Sequence, residues 1–363
     1  MTSEILGMVS TSYGSESAGW SGDVVDPAYL AEFARAHERA GFDRVLVAHS
    51  GTGPDALAAA DHVLHSTDAL GVLVAQRPGF TAPTITARAL ATLERLNGEG
   101  RVALHNVTGG SDADQRRDGD FVDKDSRYRR TAEFMEIVRA TFASPDPIDH
   151  EGEFYRVEDA HSAVRPVRPD SIRMWFGGQS DAAVAVGAEH ADTYALWGEP
   201  LADTAERIGV IRDAAARLGR SVDFSLSTRP IVADTEDAAW ERAAGIQHLV
   251  EEHGAQNAAR LMGVGARSDS VAVGAERLKA RAREKDVHDE RLWFGVTKLL
   301  DGAGNSSALV GTSEQVVDAL TRYREIGVTR FLIRGFDPLE DVRRWGEDLV
   351  PRLRSALETA DAA

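Results

Sequence analysis

Residues 70–106 read LGVLVAQRPGFTAPTITARALATLERLNGEGRVALHN. Leu70–Gln76 is an unbroken apolar run of strand length, the mark of a strand buried on both faces. Pro83–Leu96 carries apolar residues at helical spacing, with proline in its first turn and Asn97-Gly98 after it. Arg101–Asn106 then reads as a second buried strand. A strand, a helix and a strand joined by short turns is the repeating unit of an α/β fold. The second strand runs into His105, Asn106, Val107 and Thr108 and then into Gly109-Gly110. A strand ending in hydrogen-bonding side chains and glycine points to a ligand site beyond its C-terminal end.

The same alternation extends both ways. Upstream, Ile5–Ser10 and Asp43–Val47 read as strands. Pro27–Ala40 reads as a helix, with Asp26 as N-cap and Gly41 as its stop, and Asp55–His65 as another. Downstream, Ser126–Phe142 is helical, and Phe154–Val157 forms part of a small surface hairpin. Strands follow at Met174–Phe176, Thr193–Trp197, Asp223–Val232 and Arg330–Arg334. Helices follow at Ser180–His190, Leu201–Leu218, Thr235–Glu251, Ser313–Ile326 and Leu339–Leu357. Eight strand–helix units predict a (β/α)8 TIM barrel, one domain over 1–363. The rival is a doubly wound sheet, but the segment after the first strand, STSYGSESAGWSGD, lacks a G-x-G-x-x-G turn. Residues 252–290 break the rhythm and read as an insertion before the last strand–helix unit, a mobile lid.

Composition narrows the function. The chain has 58 acidic and 41 basic residues, a net charge of −17, so a nucleic-acid partner is not expected. It has no cysteine, which removes disulfides and thiolate chemistry and suits a cytoplasmic protein. No run is long and apolar enough for a membrane span, and the first residues lack signal-peptide features. No metal site is expected: His62 and His65 lie on one helix face but lack a third ligand. The acidic run Asp112–Asp125 lacks calcium-loop spacing and reads as a solvated loop.

In a barrel of this kind the strand ends carry the chemistry. They present Ser10, His49, Gln76, Asn106, Gly178, Gln179, Ser180, Trp197, Ser227, Arg229 and Arg334. Within FGGQSDAA, Phe176 to Ala183, two glycines lead into a helix at Ser180. This is either an anion-binding turn or a tight turn capped by Ser180. A late barrel loop favours the first.

At these residues the chain resembles the bacterial luciferase-like flavin monooxygenases, most closely the FMNH2-dependent alkanesulfonate monooxygenase group. The resemblance rests on residues 75–110, then DGDF and RYRRTAEF, FGGQSDAA, YALWGEP, ALVGTSEQVVDALTRY and IRGFDPLED, in that order. It implies a barrel that takes reduced FMN from an NAD(P)H-dependent reductase, forms a flavin (hydro)peroxide with O2 and oxidises a small organic molecule. In the sulfonate enzymes the products are an aldehyde and sulfite. It places Tyr128, Gly178, Gln179 and Ser180 at the FMN phosphate. Asn106 and Thr108 fall beside the isoalloxazine ring, and Ser10, Gln76 and Trp197 on the pocket wall. It implies a homodimer or homotetramer.

Departures fall in the substrate set. HSGTGPDA has no cysteine where the sulfonate group has one, and LSTRP places Ser227 and Arg229 at its Arg and His positions. LLDGAG lacks its arginine, Phe336 replaces its tyrosine, and His105 precedes the motif asparagine. Arg229 and Arg334 are therefore expected either to rebuild an anion site or, for Arg229, to pair with a carboxylate in the mouth. Arg229, His49 and His105 are candidate catalytic groups, and Ser227, Arg229, Arg334 and Phe336 the candidate substrate set. The first expected substrate is an alkanesulfonate or related organosulfur compound. The rivals are N-hydroxylation of an amine, oxidation of a sulfone or ketone, a deazaflavin-dependent enzyme, and a non-catalytic flavin-binding protein.

Overall fold

A computed structural model describes residues 2–109, 111–262, 273–302 and 304–362, with backbone alone over 254–262. Its centre is a closed ring of eight parallel strands: β1 Glu4–Val9, β2 Arg44–Val47, β3 Gly71–Gln76, β4 Val102–Asn106, β5 Arg173–Gly177, β6 Thr193–Trp197, β7 Asp223–Val232 and β8 Val328–Ile333. Each pairs with the next, and β8 with β1. This is a (β/α)8 TIM barrel, and every ring strand falls where the apolar runs place it.

The ring is packed on both faces. Leu6, Leu73, Ala103, Trp175 and Leu332 fill its interior, while Ile5, Val72, Leu104, Phe176 and Leu226 pack outward under the helices. The strand period of two thus sets which residues face the lumen. By that parity His105 follows Ala103 inward, and Arg334 follows Leu332.

One lumen-distal contact fixes a glycine. The His37 ring, on helix Pro27–Arg39, lies so close over Gly7 that a Cβ there would sit 2.2 Å from its Cδ2. Nδ1 of this buried ring is 2.8 Å from the Phe33 carbonyl oxygen. Burial pushes the imidazole down to about 4, against the opposing pull of that hydrogen bond. Unfolded, the ring takes a proton near 6.5, so falling pH favours unfolding. The stability His37 confers is full above pH ~6.5 and is lost as pH falls toward 4, on the order of 3 kcal/mol. Urea titrations at pH 7 and pH 4.5 are expected to show this slope, and the His37→Phe variant a shallower one.

Four expectations need correction. The strand β7 is longer than its ring neighbours require because its upper half leaves the ring and pairs with Ala308–Gly311, an unanticipated strand. Helix Glu236–Met262 runs well past Glu251, so the expected insertion begins inside it. A second helix spans Val273–Glu284, and residues 263–272, at the centre of the expected lid, lie outside the described residues. The final helix is two, Pro338–Glu347 and Leu349–Ala362. Pro351 has no N–H to give Glu347, so the chain restarts with the proline in a first turn. The acidic run is not a solvated loop: Asp112–Arg117 is helical, and Asp114 and Asp120 are buried against arginines. No described helix is long and apolar enough to cross a membrane.

Candidate active site

The ends of β4, β5 and β6 enclose a cavity of about 230 Å³. Its wall brings together His105, Asn106, Thr108, Tyr128, Gly178, Gln179, Ser180 and Trp197. These come from three strand ends and one helix, and the sequence nominated all of them.

Each is fixed by its own element. Ser180 caps helix Asp181–His190, its Oγ accepting from the Ala183 N–H at 3.2 Å. The hydroxyl proton stays available to a ligand, and the Asp181 and Ala182 N–H groups have no acceptor inside the helix. The capped turn is the reading the structure shows, and the cap leaves first-turn donors without a helical acceptor. The Gly178 carbonyl accepts from Tyr194 Oη at 2.7 Å, which fixes the turn. A Cβ on Gly178 would lie 2.6 Å from that of Ala183 and 3.5 Å from Tyr128 Oη. Tyr128 is braced edge-on by Phe176.

Asn106 is fully buried and donates through Nδ2 to the Trp175 carbonyl at 3.2 Å. Among the described residues its Oδ1 has no partner, nor do His105 Nδ1 and Gln179 Oε1, although all three atoms are buried. Unmatched buried polar atoms are uncommon and carry a free-energy cost. These three belong to residues on the wall of one cavity. The His105 residue as a whole is half-buried, but burial pushes its imidazole down to about 4, so it is neutral at pH 7. Thr108 lies 3.4 Å from Thr131 Oγ1. The space left by Gly109 (φ +94) belongs to the Gln115 side chain and not to a ligand.

Sequence reading missed two parts of this cavity. Lys124 lines it one helical turn before Tyr128 and, among the described residues, has no carboxylate partner. The i, i+4 spacing could have revealed it. Gly274, at the start of helix Val273–Glu284, closes the wall against Gln179 and Trp197. Arg277 holds that helix to buried Glu199 by paired hydrogen bonds of 2.9 and 2.8 Å.

Ser10 and His49 lie elsewhere, on a second cavity of about 470 Å³ at the ends of β1 and β2. The buried His49 Nε2 also has no partner among the described residues. Burial and the nearby Arg77 lower its pKa. Gln76 lines neither cavity; its carbonyl accepts from the Val107 N–H.

The expected substrate set is not an open site. Arg229 is fully buried, with Nη1 2.9 Å from Glu16 Oε1 and Nη2 donating to the Gly335 carbonyl at 2.7 Å. Its guanidinium lies 3.4 Å over the buried Phe336 ring. Arg334 also reaches Glu16, at 3.0 Å, and Ser227 accepts from Asn305. Of the two readings of Arg229, the carboxylate pair is the one the fold adopts, with Arg229 and Phe336 both buried. His62 and His65 bond separate partners, the Pro27 carbonyl and Asp61.

Solved structures share this fold, among them the following three. A riboflavin lyase with modified FMN and riboflavin matches with TM-score 0.78 and 19% identity, over 98% of this chain and 92% of that one. EDTA monooxygenase from Chelativorans sp. BNC1 matches with TM-score 0.76 and 18% identity, over 98% and 94%. A long-chain alkane monooxygenase matches with TM-score 0.75 and 18% identity, over 98% and 92%. The model of the luciferase-like monooxygenase family matches residues 8–330. Nearly the whole barrel is covered by that match, and the chain belongs to the luciferase-like monooxygenase family.

Proposed function

We propose that this chain is a monooxygenase that binds reduced FMN delivered by a separate NAD(P)H-dependent reductase. The observation that carries the reading is the 230 Å³ cavity, whose wall joins three buried polar atoms without a partner among the described residues to the glycine turn and capped helix start at Gly178–Ser180. Those residues fit FMN. Gly178, Gln179, Ser180, Tyr128 and Lys124 would hold the phosphate through N–H, hydroxyl and ammonium donors. Asn106 Oδ1 and the neutral His105 would meet the polar edge of the ring system.

The bound reduced flavin would supply two electrons to O2, one oxygen atom going to the substrate and the other leaving as water. The chain's own part is positional. Asn106 and Thr108 orient, His105 adds no charge near neutral pH, and Trp197 with helix Val273–Glu284 excludes bulk water. A lid over 252–290 and a homo-oligomeric state remain part of the proposal. A sulfonate substrate would need a free cation, and the arginines nominated for it already hold Glu16.

Titration calorimetry and anaerobic mixing test the reading. FMN is expected to bind at least ~10-fold tighter than riboflavin, and Lys124→Ala is expected to remove most of that difference. Admitting O2 to the FMNH2-loaded protein with substrate is expected to give oxygenated product in step with flavin reoxidation. Hydrogen peroxide as the only product with every substrate would leave a flavin-binding protein. Tighter binding of a deazaflavin coenzyme than of FMN would replace the cofactor.

A further inference from the structure

The loop between β1 and the first helix enters the barrel mouth instead of passing over it. Ser15, Glu16 and Ser17 are all buried there. Ser15 and Ser17 both donate to the Phe336 carbonyl, the second at 3.0 Å, and the Ala18 N–H donates to Ser15 Oγ at 3.0 Å. This tight turn aims the Glu16 carboxylate at Arg229 and Arg334, which project inward from β7 and from beyond β8. Burial alone would raise that carboxyl, but the two guanidiniums outweigh it and hold it near 2. The cluster is closed on its far side. Asp341 takes Arg242 and accepts from the N–H groups of Phe336 and Asp337 at 2.9 and 3.0 Å.

This cluster borders the larger cavity. A recess of about 50 Å³ has Glu16, Arg229 and Arg334 in its wall. It shares Met8, Val9, Ser10 and Trp20 with the 470 Å³ cavity. Beyond those, the larger cavity is lined by Val24, Leu30 and Val47 and by the short side chains of the β2 turn. Its one cationic residue, Arg117, is bonded to Asp114 at 3.2 Å. Each neighbouring guanidinium also has a carboxylate partner, Arg77 at Asp114, Arg127 at Asp112 and Arg130 at Asp120, although Nε of each is buried without a hydrogen-bond partner among the described residues. A substrate anion would therefore meet guanidiniums that already contact a carboxylate of the chain.

We infer that Glu16 is a built-in counter-ion that occupies the Arg229–Arg334 pair and so restricts the adjoining 470 Å³ cavity to an uncharged, largely apolar organic substrate. The inference rests on the monooxygenase reading for its substrate half only. The polar handle of such a substrate meets His49, whose unmatched Nε2 can bond a carbonyl, hydroxyl or thioether group without bringing a formal charge.

Two measurements separate the halves. In thermal melts at matched ionic strength, Glu16→Ala is expected to lower Tm by roughly 5–10 °C, because two guanidiniums lose their partner. Acetate or methanesulfonate is expected to restore about half of the loss, saturably, and to leave the wild-type Tm unchanged. Glu16→Gln, which keeps the shape, serves if the alanine variant does not fold. Failure of both anions to shift either variant overturns the counter-ion. In the second measurement the FMNH2-loaded wild type is offered methyl hexyl ketone, dihexyl sulfide, hexanesulfonate and hexylamine. Oxygenation of the ketone or sulfide at least ~10-fold faster than of the charged compounds is expected. Preference for the sulfonate or the amine overturns the substrate class. Oxygenation of none overturns the monooxygenase reading instead, and the melts still decide on Glu16.

Discussion

Gly178→Ala is expected to raise the dissociation constant for FMN about 100-fold, roughly 2.7 kcal/mol. The added methyl would sit 2.6 Å from the Ala183 Cβ and 3.5 Å from Tyr128 Oη. The clash is with Ala183, which cannot yield; 3.5 Å to Tyr128 is ordinary contact. Ala183 is in the first turn of a helix and wholly buried, and Tyr128 is wedged against Phe176. The strain must open the turn that Tyr194 pins, moving the N–H groups and the Ser180 hydroxyl off the phosphate position. Overpacking costs about 1–3 kcal/mol of stability, so the protein still folds. Riboflavin, which has no phosphate, should lose far less affinity. FMN binding within about threefold of wild type would show that this turn is only a connection.

The second large effect is on stability. Asp114→Ala is expected to cost about 3–5 kcal/mol in urea unfolding. Asp114 is buried and pairs with the equally buried Arg77, accepts from Arg117 at 3.2 Å, and accepts from the Gly51 N–H at 3.2 Å. Removing it strands the Arg77 charge and frees the β2 turn that lines the larger cavity. Asp118→Ala, four residues on and exposed, should change stability by less than about 0.5 kcal/mol. Equal losses from the two substitutions would show that the Arg77 pair carries no special weight.

Asp114 also shows where the sequence stops being legible. The run DADQRRDGDFVDKD looks like solvated charge because nothing local marks which carboxylates are buried. Its partners Arg77 and Arg130 come from the end of β3 and from helix Lys124–Ala143, and the packing of neighbouring units brings them to it. Lys124 was overlooked for a smaller reason: it sits among acidic neighbours, and only its helical spacing from Tyr128 sets it apart. By contrast, Asn106, Gly178, Gln179, Ser180 and Trp197 could be nominated directly. Each ends an apolar run, and in a barrel a strand end is a position on the catalytic face.

The sequence alone determined the barrel and the ring of polar strand ends. Hydrophobic periodicity acts over a few residues, so eight buried strands can be counted without knowing their neighbours. The tertiary structure alone decided which of those polar groups remain open to a ligand. Glu16 meets Arg334 across 318 residues of chain. Whether an arginine there receives a substrate or a carboxylate of its own chain depends on how β1 closes against β8. That closure set Arg229 and Arg334 against Glu16, while Asn106, His105 and Gln179 keep buried atoms with no partner among the described residues.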